Sequence, residues 1–186
     1  MLYQAKQITL KNGKTATIKT PERGDGAAML QLIKTACGET DFLTRYPEEW
    51  EGVTDESEEN WIEAGRTAPH ILRIACYIDG EIVGSCDITF RTDYKTRHRA
   101  TIGITVLQKY WGLGIGSAFF EAMIDTAKRH HGTEIIELEF IEGNDRARAL
   151  YEKFGFSIVG YRPNTFRLKD GRTVGEYFMQ KELHEK

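Results

Sequence analysis

Apolar side chains recur along the chain with two periods, and each period predicts a different element. Residues 71–78 and 82–90 are rich in apolar and β-branched side chains, and Asp79-Gly80 between them is a hairpin turn signal. After the glycine-rich segment, apolar side chains recur every three to four residues, as on one face of an α-helix. That helical stripe consists of Ile115, Phe119, Met123 and Ala127, with Phe120 and Ile124 beside it.

The remaining segments complete an alternation of strands and helices. We predict strands at 3–10 and 14–19 around Asn12-Gly13, helices at 25–37 and from Thr54-Asp55 to Ala68, strands at 100–107 and 135–140, a helix at 144–154 closed by Gly155, and a closing hairpin of 156–168 and 172–183. Asp55 with Glu58 is the predicted capping pair of the second helix. Because both tight turns and helical crossovers join the strands, we expect a mixed sheet with helices on its faces.

Composition narrows the class of protein. The 186 residues are 40% apolar and 28% charged, which is typical of one globular domain, here 1–186. No apolar run approaches the roughly 20 residues of a membrane span, and no signal peptide pattern is present, so we expect a cytoplasmic protein. A net charge of −3 argues against nucleic-acid binding.

The spacing of the cysteine and histidine residues does not match a metal-binding motif. Cys37, Cys76 and Cys86 form no CxxC pattern, and we predict neither a disulfide nor a bound metal. The adjacent His130 and His131 would point about 100° apart on a helix.

The glycine-rich segment YWGLGIGS at 110–117 is the first candidate site. A strand, a glycine turn and a helix N-terminus bring free backbone amides together, which suits an anion such as a phosphate. No Gly-Lys-Ser/Thr follows, so the segment is not a P-loop. The dinucleotide pattern would need glycine where Ser117 or Phe119 stands. The alternative is that the glycines only form a tight turn.

The segment GNDRARALYEKFGF at 143–156 is the second candidate. Asn144 is the expected N-cap, and Tyr151, seven residues later, lies on the same side of the helix. Gly155 supplies the left-handed residue that ends it.

Together these two segments resemble the GNAT superfamily of acetyl-CoA-dependent N-acetyltransferases, and the order of elements matches from about residue 71 to 182. The resemblance implies an α/β (α+β) fold: a mixed, mostly antiparallel twisted sheet of about seven strands with helices on both faces. The family's loop usually begins with Gln or Arg where this chain has Trp111, which leaves one side-chain contact open.

Residue by residue, the resemblance implies a cofactor site and a proton donor. The main chain of Ile104, Thr105 and Val106 would bind the pantetheine arm of acetyl-CoA. The amides of Gly112, Leu113, Gly114, Ile115, Gly116 and Ser117 would bind the pyrophosphate. Asn144 would contact the cofactor arm, and Tyr151 would sit by the thioester sulfur and protonate the leaving thiolate. The strands that carry Val106 and Glu139 would splay apart to form a cleft. For Tyr151 the alternative is a packed helix residue.

Direct transfer to an amine needs a group that removes the amine proton, because an alkyl ammonium of pKa about 10.4 is not nucleophilic. Glu137 and Glu139 point to one face of a central strand, where a carboxylate must be paired or face a cleft. Glu139 is the first candidate base, with a solvated face as the alternative. His98 is a second candidate. Thr101 stands where relatives often carry glutamate, which would leave the base to water.

The acceptor is indicated only by charge. Residues 39–59 hold nine acids against one base, Arg45, and this region borders the acceptor site in the family. An acidic rim would attract a small cationic amine or a peptide N-terminus, whereas a solvated loop is the alternative. The aromatic residues Phe42, Tyr46 and Trp50 either line a pocket or anchor the loop.

The sequence therefore predicts acetyl transfer from acetyl-CoA directly to an amine in a ternary complex, with a homodimer as a family possibility. Two other functions stay open. One is a non-catalytic acyl-CoA-binding sensor or interaction module on the same fold, and the other is a nucleotide-binding protein.

Overall fold

The computed structural model describes residues 1–183 as one twisted sheet with four α-helices around it. The strands are β1 (Lys6–Thr9), β2 (Thr15–Lys19), β3 (Ile71–Ile78), β4 (Glu81–Phe90), β5 (Arg99–Val106), β6 (Ile135–Ile141), β7 (Ser157–Arg167) and β8 (Thr173–Glu182). The helices are α1 (Gly26–Glu39), α2 (Asp55–Thr67), α3 (Ile115–Arg129) and α4 (Asp145–Lys153). Short 3-10 turns at Pro47–Trp50 and Gln108–Tyr110 were not predicted from the sequence.

The sheet order is β1-β2-β3-β4-β5-β6-β8-β7, which gives eight strands where about seven are predicted. Every neighbouring pair is antiparallel except β5 with β6. The central hairpin turns at Asp79 and Gly80 as predicted, with φ of 52° and 86°. These positive values are those of a type I′ turn. The predicted mixed, mostly antiparallel fold is confirmed.

Helices cover both faces of the sheet because neighbouring strand residues point to opposite sides. On β3, Ile74 and Cys76 join a core with α3 and α4, while Ala75 joins a second core with α1 and α2. Among the helices of residues 1–183, none combines the length and the apolar content that a bilayer crossing requires.

The cap of α2 corrects one prediction. Thr54 Oγ1 accepts from the Ser57 amide and Ser57 Oγ accepts from the Thr54 amide, each at 3.1 Å. This reciprocal pair takes the place predicted for Asp55 and Glu58. A hydroxyl one residue earlier reaches the free first-turn amides, because the N-cap lies just outside the helix.

The three cysteines are free and buried. In the β3–β4 register Cys76 lies opposite Gly84 and Cys86 lies opposite Ile74. The two thiols of the hairpin therefore do not face each other.

The parallel β5–β6 pairing is short. It joins Arg99 to Ile135, Ala100 to Ile136 and Thr101 to Glu137, and it ends there. Both strands continue, β5 to Val106 and β6 to Ile141, while each pairs only with its other neighbour. The predicted divergence of these strands is confirmed, and it opens the middle of the sheet.

Candidate acetyl-CoA and amine site

A cleft of about 620 Å³ occupies the gap between β5 and β6. The glycine-rich segment and the start of α3 form one end, α4 forms a side wall, and the C-terminal end of α1 with the following loop lies opposite. All but one of the residues predicted to bind the cofactor line this cleft, together with Glu139, the first base candidate. They are Ile104, Thr105, Val106, Gly112, Gly114, Ile115, Gly116, Ser117, Glu139, Asn144 and Tyr151.

The exception is Leu113. Its carbonyl accepts a hydrogen bond from the Lys11 amide at 3.0 Å, and its side chain packs against the core. The loop after β1 therefore holds this residue in place behind the cleft wall.

The glycines shape the turn into α3. Gly112 and Gly114 have φ of 79° and 103°, a region that favours glycine because it has no Cβ. The helix begins at Ile115 and lacks a side-chain hydrogen bond at its N-cap Gly114. By contrast, Thr54 caps α2, Asn144 caps α4, and the Glu59 carboxylate accepts from Gly26 at the start of α1. The first turn of α3 thus presents uncapped amides at the cleft.

Three cations stand around those amides. Lys11, Arg146 and Lys153 all line the cleft. Arg146 lies over the Trp111 ring at 5.1 Å, and Lys153 Nζ donates to Ser117 Oγ at 3.1 Å. A helix N-terminus with surrounding cations is a set of donors suited to phosphate groups.

Trp111, the departure from the family pattern, has a structural partner. Its indole Nε1 donates to the Val106 carbonyl at 2.7 Å and ties the loop to the end of β5. That bond uses one of the two lone pairs of a carbonyl predicted to face the pantetheine arm.

Asn144 is the N-cap of α4, as predicted. Its Oδ1 accepts from the Ala147 amide at 3.2 Å. A contact between Asn144 and a cofactor would use its Nδ2 group or the remaining lone pair of Oδ1. Gly155, with φ of 81°, ends the helix as predicted.

Tyr151 lies on the cleft wall with its ring packed into the core. It is 6% exposed, and the rings of Phe120 and Phe140 lie 5.4 and 5.7 Å from its own. Burial raises the pKa of Tyr151 to about 12. The phenol therefore stays protonated at neutral pH and can donate a hydrogen bond into the cleft.

Glu137 and Glu139 share a face of β6, but their surroundings differ. Glu137 accepts from Arg99 Nε at 2.8 Å and from Arg91 Nη2 at 3.1 Å. Burial alone would raise the pKa of Glu137, but the hydrogen bonds from these two arginines bring it below its usual value. Glu139 is exposed and lines the cleft.

Glu139 also has a carboxyl neighbour. Burial and then the charge of Glu139 raise the pKa of Glu176, which is 7% exposed, while Arg162 Nη2 donates to Glu176 at 2.9 Å. Glu139 is thus one of two nearby carboxyls.

The other two candidate positions lie away from the cleft. His98 precedes β5, at the strand end opposite Val106, and its carbonyl accepts from Glu134 and Ile135. Thr101 lies beside Glu137, 3.4 Å from its carboxylate, where the β5–β6 pairing ends. Neither residue lines the cleft.

The acids of residues 39–59 serve mainly the local fold. Glu39 lines the cleft, but its carboxylate accepts from the Gln108 amide at 2.7 Å. Glu49 accepts from the Tyr46 amide, Glu48 pairs with Lys169, and Glu59 holds the start of α1. These contacts favour the interpretation of a structural loop over that of a free acidic rim.

The three aromatic residues of 39–59 divide into one cleft residue and two that anchor the loop. Phe42 lines the cleft. The Tyr46 hydroxyl accepts from the Lys169 amide at 3.1 Å, and the Trp50 ring lies under Arg45. Tyr46 and Trp50 therefore anchor the loop.

The sequence patterns did not single out four charged cleft residues: Lys11, Arg146 and Lys153 beside the glycine segment, and Asp87 on β4. Asp87 stands in GSCDITF, where an acid inside an apolar strand is the available signal. Burial raises the pKa of Asp87 to about 6, and the charge of Arg73 opposes that rise.

Diverging strands with uncapped helix amides and cations at one end form a candidate site for a ligand that carries phosphate groups. A family model of acetyltransferases, the GNAT family, matches residues 38–156. The chain belongs to this family and is an acyltransferase, as the resemblance predicted.

Individual similar proteins also bear acetyltransferase names. The L-amino acid N-acetyltransferase AaaT of Escherichia coli strain K12 is 30% identical over 127 residues, which are 68% of this chain and 78% of AaaT. A GNAT-family acetyltransferase from Streptococcus pneumoniae is 25% identical with a TM-score of 0.82, covering 90% of this chain and 99% of its own. YncA of Salmonella typhimurium, a putative acetyltransferase with its cofactor acetyl-CoA, has a TM-score of 0.77 at 22% identity, covering 92% and 95%.

Proposed function

We propose that the protein transfers an acetyl group from acetyl-CoA directly to a primary amine, with both bound in the cleft. The uncapped first turn of α3 at the cleft wall carries this proposal. Bound pyrophosphate would accept hydrogen bonds from the amides of Gly112 to Ser117, and Lys11, Arg146 and Lys153 would balance its charge. Acetyl-CoA supplies an acetyl group activated as a thioester.

The diverging strands would hold the rest of the donor. Ile104, Thr105 and Val106 line the cleft on the side where β5 has left β6. Because main-chain groups point alternately to the two sides of a strand, those of Ile104 and Val106 would face the pantetheine arm while Thr105 bonds towards β4. Asn144 would add its Nδ2 group or the remaining lone pair of Oδ1 from the start of α4. Apart from the Thr105 main chain, these are the contacts that the sequence predicts.

Tyr151 is the proposed donor to the leaving sulfur. A phenol with a pKa of about 12 gives up its proton less readily than a thiol of pKa about 8.5, so its main contribution is a hydrogen bond to the developing thiolate. Direct transfer requires no nucleophilic side chain. Glu139, which also lines the cleft, remains the base candidate from the sequence.

Charge on the cleft wall favours a cationic acceptor. Glu39, Asp87 and Glu139 all line it, whereas the cations Lys11, Arg146 and Lys153 surround the glycine segment. The name of the relative AaaT makes free L-amino acids the first acceptors to test. The acids favour amines without a free carboxylate, such as an amino acid amide, a peptide N-terminus or a polyamine.

The first test is thermal unfolding with acetyl-CoA, with ATP and NAD as controls. A ligand that binds only the folded state adds about 2.7 kcal/mol at 100 times its Kd. We expect a rise in Tm with acetyl-CoA alone.

An amine panel then reads acetylation by product mass. L-Phenylalanine and L-phenylalaninamide form a matched pair that differs only in the carboxylate, and we expect faster acetylation of the amide. The absence of both a Tm shift and a product would contradict the proposal.

A further inference from the structure

Asp87 is placed to reach the opening between β5 and β6. It lies on β4 opposite Gly103 of β5, and a Cβ built on Gly103 would lie 3.1 Å from Asp87 Oδ1. The carboxylate therefore leans over the one position of β5 in this register that has no side chain. Any larger residue at 103 would separate it from the gap.

Arg73, the cation opposite Asp87 on the neighbouring strand, makes its hydrogen bond elsewhere. Arg73 is the β3 partner of Asp87, but its Nη1 donates to the Trp61 carbonyl at 2.8 Å and its guanidinium stacks 3.6 Å above the Trp61 ring. Glu58 on α2 also interacts electrostatically with Arg73. Arg73 thus supports the charge of Asp87 from a distance while the carboxylate oxygens stay free to accept from a ligand.

The other acids of this region are less available. Glu137 is bound by Arg99 and Arg91, and the Glu39 carboxylate accepts from the Gln108 amide. Glu139 faces Glu176, a second carboxyl. Asp87 combines access to the cleft, partial burial and a free carboxylate.

From this arrangement we infer that Asp87 binds the ammonium group of the acceptor and takes a proton from it. The inference rests on the proposed function of the cleft. Protons and electrons balance in three steps. One ammonium proton passes to the Asp87 carboxylate, and the freed nitrogen lone pair forms a bond to the acetyl carbon. The carbon–sulfur bond breaks with its electron pair on sulfur. A second nitrogen proton ends on sulfur to give the thiol, and the third stays in the amide.

The protonation state of Asp87 suits this role. Its pKa of about 6 keeps it ionised at pH 7, and yet it binds a proton far better than an exposed aspartate does. Release of the proton to solvent then restores the carboxylate. The rate should fall as the pH drops through about 6.

The test compares Asp87→Asn with Asp79→Asn, a matched control at the exposed turn of the same hairpin. Initial rates of L-phenylalaninamide acetylation are measured from pH 5 to 9. We expect kcat/KM of Asp87→Asn to fall at least about 100-fold and to lose the acidic limb near pH 6. Acetyl-CoA should raise the Tm of this variant as it does for the wild type, and Asp87→Glu should recover part of the rate.

A second variant tests the geometry without removing the carboxylate. Gly103→Ala puts a methyl group against Asp87 Oδ1, and we expect it to lower kcat/KM while Asp87 remains. Retention of wild-type kcat/KM and of the acidic limb by Asp87→Asn would overturn the inference. So would loss of that limb in Glu139→Gln but not in Asp87→Asn. If the wild type neither binds acetyl-CoA nor acetylates any amine, the proposed function fails as well, which distinguishes the two failures.

Discussion

Glu137 and Glu139 stand two residues apart on one face of β6, and only Glu139 reaches the cleft. Glu137 lies where β5 and β6 are still paired, and the arginines of β5 and the preceding loop hold its carboxylate. At Glu139, two residues further along β6, the strands have diverged, so a side chain on the same face points into the cleft. The two residues lie about 7 Å apart along the strand, yet Glu137 forms a structural ion pair and Glu139 lines the cleft.

Glu137→Gln should therefore affect stability and not chemistry. The pKa of Glu137 is lowered in the folded state, so its contribution is present above the unfolded pKa and is lost as the pH falls through the folded value. For this partly exposed cluster we expect a loss of about 1 kcal/mol at pH 7 that shrinks as the pH falls below the unfolded pKa, measured by urea unfolding. Glu121→Gln, at an exposed position of α3, is the control.

Tyr151→Phe should separate binding from turnover. Phenylalanine keeps the ring that packs between Phe120 and Phe140, so the Tm rise with acetyl-CoA should persist. Loss of one hydrogen bond to a developing thiolate should lower kcat about 10- to 100-fold in single-turnover assays. An unchanged kcat would contradict the proposed role and leave Tyr151 as a packing residue.

Gly114→Ala and Gly132→Ala form a matched pair. Their φ values are 103° and 84°, and a Cβ at either position meets no heavy atom within 4 Å. Both variants should lose about 1–2 kcal/mol of unfolding free energy from backbone strain. Gly114 ends the glycine loop of the cleft, and Gly132 follows α3 outside it, so we expect only Gly114→Ala to weaken acetyl-CoA binding in titration calorimetry. Equal affinities would count against the phosphate site.

Asp87→Asn should stabilise the protein at neutral pH. The folded-state pKa of about 6 lies above the usual 3.8, so the native state binds the proton more tightly, and wild-type stability declines as the pH rises from about 4 to 6. Asparagine carries no charge to bury. After allowance for solvent screening we expect a gain of about 1–2 kcal/mol at pH 7.5 and none at pH 3.5, read from Tm against pH. A gain of the same size at both pH values would point to packing instead.

The parts of the site that lie on continuous sequence could be predicted. The glycine turn before α3 and the span from Asn144 to Gly155 are local, because turn chemistry and helix periodicity act within a few residues. Their placement around one cleft agrees with the sequence prediction.

The sequence marks Asp87 only as an acid within an apolar strand, because its access to the cleft depends on strand register. Asp87 reaches the cleft over Gly103, sixteen residues later in the chain. A shift of one residue in the β4–β5 pairing would turn Asp87 to the other face. The cap of α2 was missed for a different reason. Several acids follow Thr54, and only the backbone geometry shows that the reciprocal partner of Thr54 is Ser57.

The divergence of β5 from β6 also creates a sheet edge inside a single molecule. Exposed edges elsewhere invite strands of other chains, and proteins protect them with charges, bulges or coverings. Here residues of α3, α4 and the Trp111 loop line the cleft beside that edge, where the proposed acetyl donor would bind. On this view the donor would act as a missing strand, and its departure after each turnover would leave the sheet momentarily incomplete.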